Sequence, residues 1–349
     1  MKFTRIVGEV RQLEAATNNN IGGAVTINTC DGQEESTTQT IPFTHCILAS
    51  GNLAPRVLPA LAPLQNATGF VKTPWLWPED EKVAKTGTIA VVGSRLTAID
   101  FILHLKYKCN FSGKAFVISR TGQFPTENPG EQLAPRIDGS FLDGCLDRSV
   151  EELDAILRDK CKEGAESGDF SFHQVVDAFR PYTNDYWRKM NTEQRVQFLS
   201  KFRGEWETRR HRTAPGQMKV VTQLVESLQF TNVASGVVGS YIVDEDTCFG
   251  VDGKSKEKLV LKLHNGQEIA CDTVVNCTGP EQDYRTLSSL HEPLLASLVS
   301  NGLATPDDSG VGFLVEKGTG ALLPPPVVAD AAAGGKHNDN DDAVVPSRS

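Results

Sequence analysis

The stretch Gly87-Thr88-Ile89-Ala90-Val91-Val92-Gly93-Ser94-Arg95-Leu96-Thr97-Ala98-Ile99-Asp100-Phe101-Ile102-Leu103-His104-Leu105-Lys106-Tyr107 decides the fold. The apolar run from Ile89 to Val92 enters a glycine, which predicts a strand of a parallel sheet with both faces buried. After the turn, Leu96, Ile99, Phe101, Ile102, Leu103 and Leu105 put most of their apolar groups on one helical face. A second apolar strand is expected over Ala115-Phe116-Val117-Ile118. The unit is therefore β-turn-α-β, the setting in which a glycine turn signals dinucleotide binding.

The fingerprint is incomplete. Gly93 takes the first glycine position, Arg95 stands where the second belongs, and Ala98 fills the third. A residue with a Cβ at the second position loosens the approach of the pyrophosphate, and the Arg95 guanidinium is a candidate to hold a phosphate instead. The N-terminus of the helix, through Ser94, Leu96 and Thr97, offers backbone N–H groups to an anion. The plainer alternative is a βαβ unit that only packs. At the end of the second strand, Ser119-Arg120-Thr121-Gly122 contains no acidic residue. An acidic residue there reads the ribose of NAD, whereas an arginine accommodates a 2′-phosphate, so Arg120 favours NADP(H). The alternative for Arg120 is a solvated loop charge.

Outward from this unit, 349 residues allow one large core or two ordinary ones. A formal charge of −9 and a pI near 5.4 argue against sequence-independent nucleic-acid binding. The eight cysteines form no CxxC pair and no zinc-like pairing with histidine, which predicts no metal site and reduced, cytosolic thiols. No apolar run is long enough to span a bilayer, and Met1–Val10 lacks the apolar centre of a signal peptide. No Gly-x-Ser-x-Gly elbow marks a nucleophile, and no catalytic residue can be named.

Strands are expected over residues 4–13, Ala24–Thr29 and Thr37–Pro42, with a hairpin turn at Asp31-Gly32. Cys46-Ile47-Leu48-Ala49-Ser50-Gly51-Asn52 reads as a buried strand ending in a glycine that lets backbone meet a ligand. Residues 53–80 form a proline-rich connector. Residues 149–202 are helical and charged, closing on Arg209-Arg210-His211-Arg212. That basic run suits cofactor phosphates or an acidic substrate; alternatively it is a helix face paired to Glu205 and Glu207. Strands return over 232–242 and 259–263, with a turn at His264-Asn265-Gly266-Gln267. Val274-Val275-Asn276-Cys277-Thr278-Gly279 repeats the pattern of a buried strand ending in a small residue and glycine. After Leu323 the composition predicts a disordered tail.

Taken together these motifs resemble the flavoprotein family that includes FAD-dependent urate hydroxylase and the aspartate N-hydroxylating monooxygenase. The residues that carry the resemblance are Ile47–Asn52, Pro74-Trp75, Val91–Gly93 with Leu96–Asp100, Ser119–Gly122 with Pro125, Arg209–Arg212 with Ala214-Pro215, and Val275–Pro280 with Tyr284. They run in family order over residues 3–315. The resemblance implies an α/β Rossmann flavoprotein with two dinucleotide-binding domains of the glutathione-reductase type and a helical insertion. It implies FAD in an outer domain, approached by Ala49, Ser50, Gly51, Thr278 and Gly279. NADPH would lie in an inner one, held by Gly93, Ser94, Arg95, Leu96, Thr97, Ser119 and Arg120, and would pass hydride to FAD. It also implies a glycine-rich FAD unit before residue 1 and a flavin-covering part after the segment like Gly310–Phe313. The fold is therefore expected to be N-terminally incomplete, with a partner or missing segment completing the FAD domain. Thr126-Glu127-Asn128 stands where the family has a histidine. The expected division is a remnant of the FAD domain over 1–75, an NAD(P) unit over 76–135, an insertion over 136–215, return strands over 216–270, a return to the FAD domain over 271–323, and a tail over 324–349. The expected function is an FAD- and NAD(P)H-dependent oxidoreductase of monooxygenase type acting on a small molecule. The alternative is a non-catalytic NADP(H)-binding remnant.

Overall fold

The computed structural model describes residues 4–15, 23–29, 37–77, 86–128, 137–227, 229–249, 255–289 and 292–325. Its centre is β5 (Thr88–Val92), the third strand of a five-stranded sheet. The strand order is β4 (Phe70–Val71), β13 (Thr273–Asn276), β5, β6 (Lys114–Ser119) and β9 (Phe230–Ala234), and every pairing is parallel. The pleat sends successive β5 side chains to opposite faces. Ile89 and Val91 pack with Ala98, Ile99, Phe101, Ile102 and Leu105 of α1 (Leu96–Tyr107) and with Val221 and Leu224 of α7 (Gln217–Glu226). Ala90 and Val92 meet Leu259, Leu261, Leu263 and Ile269 on the other face. Those residues belong to an antiparallel sheet of β10 (Val237–Phe249), β11 (Ser255–Leu263) and β12 (Glu268–Cys271). Each such side chain, fully buried, contributes roughly 1.5–3 kcal/mol, so both faces of β5 must be apolar. Asp272 ties the layers: its carboxylate accepts from Thr88 N at 2.7 Å and from Lys258 Nζ at 2.7 Å.

The helical insertion has its own core of Leu142, Val150, Leu153, Leu157, Val175, Phe179, Tyr186 and Met190. Its helices are α2 (Val150–Ser167), α3 (Phe172–Phe179), α4 (Thr183–Lys189), α5 (Thr192–Gln197) and α6 (Arg203–Arg210), with a π-turn at Phe198–Phe202 before α6. Capping boxes at Ser149/Glu152, Ser171/Gln174 and Asn191/Gln194 satisfy first-turn N–H groups. The two ends of the insertion meet in a short parallel pair, β7 (Thr126–Glu127) with β8 (Arg212–Thr213). The Glu127 carboxylate accepts from Gly216 N at the start of α7.

The chain divides into two compact units. The elements above lie in the unit Leu48–Asp283 with Asp308–Gly310. The other unit spans Met1–Ile47, Tyr284–Asp307 and Val311–Ser349. It holds an antiparallel meander of β1 (Gly8–Ala15), β2 (Gly23–Thr29) and β3 (Thr37–Phe43), and α8 (Pro293–Ser300).

Two expectations are corrected. Cys46–Asn52 is not a buried strand: it pairs with no strand among the described residues, and Ile47 is 90% exposed. An apolar run becomes a strand only where a ladder partner takes up its backbone groups. Residues 271–323 do not return as one piece to an outer domain, because β13 lies between β4 and β5 in the sheet of the βαβ unit. Its run Thr-Val-Val-Asn is buried throughout, which requires covered faces and a strand on each side. The Asp31-Gly32 turn and residues 326–349 of the expected tail lie outside the described residues.

Candidate site at the β5–α1 turn

β5 leads through Gly93 and Ser94 into α1, and the sheet order reverses between β5 and its neighbour β13. In open α/β sheets the crevice beyond the strand ends at such a reversal is where ligands bind. Arg95, the N-cap of α1, is extended and makes no side-chain cap, and the first turn carries no acidic residue. The N–H groups at Leu96 and Thr97 thus belong to an uncapped positive helix end.

Gly93 is required here for a reason the motif did not state. Its φ is +118°, and a Cβ would lie 2.4 Å from the carbonyl oxygen of Cys277. Gly93 N donates to Ile118 O at 2.8 Å, and Cys277 N donates to Val92 O at 2.8 Å. The glycine therefore admits the backbone at Cys277, just after β13. Ser94 and Ser119 also look inward: Ser94 Oγ lies 2.9 Å from Ser119 Oγ and 2.7 Å from Gln123 O, and Gly122 N donates to Ser119 Oγ at 3.0 Å. These two hydroxyls lock the turns after β5 and β6 together. Burial pushes the adjacent Cys277 thiol above its ordinary pKa, which keeps it protonated and unreactive.

Around the turn stands a group of cations. The Arg95 guanidinium pairs with Glu207 of α6 and donates through Nη2 to Gly204 O at 2.8 Å. Glu207 also accepts from Arg203 Nε at 2.7 Å. Burial holds the Arg95 pKa below its ordinary value, reinforced by Arg203 and Arg120. Burial, then Arg210, Arg95 and Arg203, depress His211 in the same way. Arg120 is exposed and makes no ion pair among the described residues. Both arms of the Arg95 fork, expected to hold a phosphate, are engaged here by α6.

The basic run divides. Arg209 pairs with Glu205, as the helix-face reading expected, but Glu207 turns to Arg95 and Arg203. Arg212 grips Asp177 of α3 at 3.0 and 3.1 Å and donates to His173 O at 3.1 Å, so it is structural.

Ala49, Ser50 and Gly51 are exposed. Shortly after them, residues 54–56 run beside the end of β13: Pro55 bridges Pro280, and Glu281 N donates to Ala54 O at 3.0 Å. Buried Asn276 holds this junction, donating to Arg56 O at 2.9 Å and accepting from Thr278 Oγ1 at 2.7 Å. Gly51 and Gly279 are left-handed, with φ of +74° and +92°, and a Cβ at either would meet nothing within 4 Å. The segment just after Gly51 thus meets the end of the β13 motif, and both glycines present open backbone. Sequence reading gave no role to Asn276 or Arg203, and it paired Glu207 with its own helix face rather than with Arg95. A polar residue ending the apolar run of β13 was the available signal for Asn276; Glu207 had none.

No protein-family model matches the sequence, nor does any curated protein sequence. Among solved structures, the chain is similar to ornithine hydroxylase PvdA from Pseudomonas aeruginosa, with 15% identity, a TM-score of 0.47, and coverage of 89% of this chain and 61% of that one. It is similar to L-lysine 6-monooxygenase from Pseudomonas syringae, with 16% identity, a TM-score of 0.45, and coverage of 88% and 59%. It is also similar to ornithine N-hydroxylase from Kutzneria sp. 744, with 12% identity, a TM-score of 0.44, and coverage of 88% and 60%. The chain thus spans about three fifths of the length of these proteins. No helix among the described residues is long and apolar enough to cross a membrane.

Proposed function

We propose that the chain acts as an FAD- and NADPH-dependent oxidoreductase of the monooxygenase type on a small-molecule substrate. The observation that carries this reading is the uncapped N-terminus of α1, set at the reversal of a parallel sheet, with Arg95 as its N-cap and Arg120 and Arg203 near enough to act on Arg95. Such an end suits the pyrophosphate of a dinucleotide, and exposed Arg120 suits the 2′-phosphate that distinguishes NADPH. Leu96 and Thr97 offer backbone N–H groups, while Ser94 and Ser119 hold the turns in shape. Gly51 and Gly279, with open backbone near the 55–280 bridge, fit the approach of a flavin. A bound FAD would supply the hydride acceptor for NADPH and, once reduced, the activation of O₂. Cys46, Cys109, Cys145, Cys161, Cys271 and Cys277 are free thiols, which supports a reducing, cytoplasmic setting. We infer kinship with the family of urate hydroxylase and aspartate N-monooxygenase, with a protein partner contributing to the flavin site.

A second reading, an NADP(H)-binding module without flavin chemistry, is favoured by one observation: Ala49–Gly51 is exposed and belongs to no strand. An anaerobic visible spectrum separates the two. FAD added to the purified chain should give a bound-flavin band that bleaches with NADPH. Retention of NADPH without flavin binding selects the module.

A further inference from the structure

Arg95 stands at the N-terminus of α1, where a dinucleotide phosphate would arrive, yet its guanidinium is already occupied. One arm pairs with Glu207, and the other donates to Gly204 O at 2.8 Å. The same carboxylate takes Arg203 Nε at 2.7 Å. One anion from the insertion thus lies between two arginines, with Arg120 near Arg95 and His211 near both arginines. Arginine forks bind carboxylate and phosphate through the same paired N–H geometry. A phosphate that took Arg95 would have to replace Glu207, and a carboxylate left nearby would repel it. The next carboxylate on α6, Glu205, faces away, to Arg158 and Arg209.

We propose that Glu207 is an internal stand-in for the cofactor phosphate, so that α6 forms an autoinhibitory strap across the dinucleotide turn which NADPH displaces. The strap joins cofactor binding to the helical insertion, since releasing Glu207 frees one face of α6. This inference rests on the turn being an anion site, as the proposed function holds. Trp206, next to Glu207 and in edge contact with Phe179 at 5.6 Å, reports the release by its fluorescence.

The test uses the full chain and its Glu207→Gln, Glu207→Ala and Glu205→Gln variants, titrated with NADPH and separately with inorganic pyrophosphate. Glu207→Gln keeps shape and removes charge; it should tighten both ligands about tenfold, a shift of about 1.4 kcal/mol. Glu207→Ala should move in the same direction, and Glu205→Gln should change neither. Tightening of pyrophosphate with no NADPH binding by any variant would keep Glu207 as a competitor for an anion at the turn and overturn NADPH as the ligand that displaces it. NADPH binding that is unchanged or weakened by both Glu207 variants would overturn the strap and leave that reading standing. Binding of neither ligand to any variant would overturn both.

Discussion

At Gly93 one backbone position serves two neighbours, the helix that follows it and the strand beside it. The carbonyl oxygen of Cys277 lies 2.4 Å from where a Cβ would sit, and φ is +118°. Gly93→Ala therefore combines a strained backbone with a clash against backbone that cannot rotate away. It should destabilise the fold by roughly 2–5 kcal/mol. Gly279→Ala, left-handed but facing open space, should cost only about 1–2 kcal/mol. Chemical denaturation of the two variants checks the contrast, and equal losses would remove the close approach of β13 as the reason for Gly93. The sequence assigned Gly93 to the tight turn of a dinucleotide motif and did not show the close strand beside it, because a fingerprint does not reveal which strand comes next to β5. The same limit hid the partner of Arg95. Glu207 lies 112 residues away, and charge pairs at that separation leave no periodic trace.

At the scale of elements, the parts that could be read were those whose signal is local. The apolar run of β5, the helical spacing of α1 and the run of β6 each declare themselves within a dozen residues. The helices of the insertion could be read for the same reason, and Ser149/Glu152 is a capping signal visible in the sequence alone. Cys46–Asn52 has as strong an apolar run, yet it stays exposed coil, since a strand is a property of a pair. β13 was recognised as buried but assigned to the wrong sheet, because its neighbours β4 and β5 are chosen by packing far along the chain. The short β7–β8 pair had no signal at all: two residues a side carry no period. The NADP(H)-directed residues split accordingly. Leu96 and Thr97 lie in the first turn of α1 and Arg120 is exposed, whereas Ser94 and Ser119 spend their hydroxyls on each other.

For the whole molecule, the insertion and the dinucleotide unit share a set of groups that couple stability to pH. Burial holds the pKa of His173 and of His211 below the ordinary 6.5, and neighbouring arginines lower both further. A base whose folded pKa is depressed is neutral in the fold and binds its proton more readily once unfolded. Its stabilisation is therefore complete above 6.5 and is lost as pH falls below it. Asp138 and Glu152 are also depressed, but from ordinary values of 3.8 and 4.5, so their loss comes at more acid pH. The melting temperature should fall between about pH 7 and about pH 5, and the double variant His173→Gln, His211→Gln should flatten that slope. A slope unchanged in the double variant would assign the loss to other groups.

The claim on which the rest depends is that the β5–α1 turn, with Arg120 beside it, receives NADPH. Equilibrium titration of the purified chain and its Arg120→Glu variant, with NADPH and with NADH, tests it most directly. NADPH should bind the natural chain more tightly than NADH, and the loss in Arg120→Glu should be at least about tenfold larger for NADPH, the ligand carrying the extra phosphate. Equal affinities for the two nucleotides, or equal losses on substitution, would contradict it.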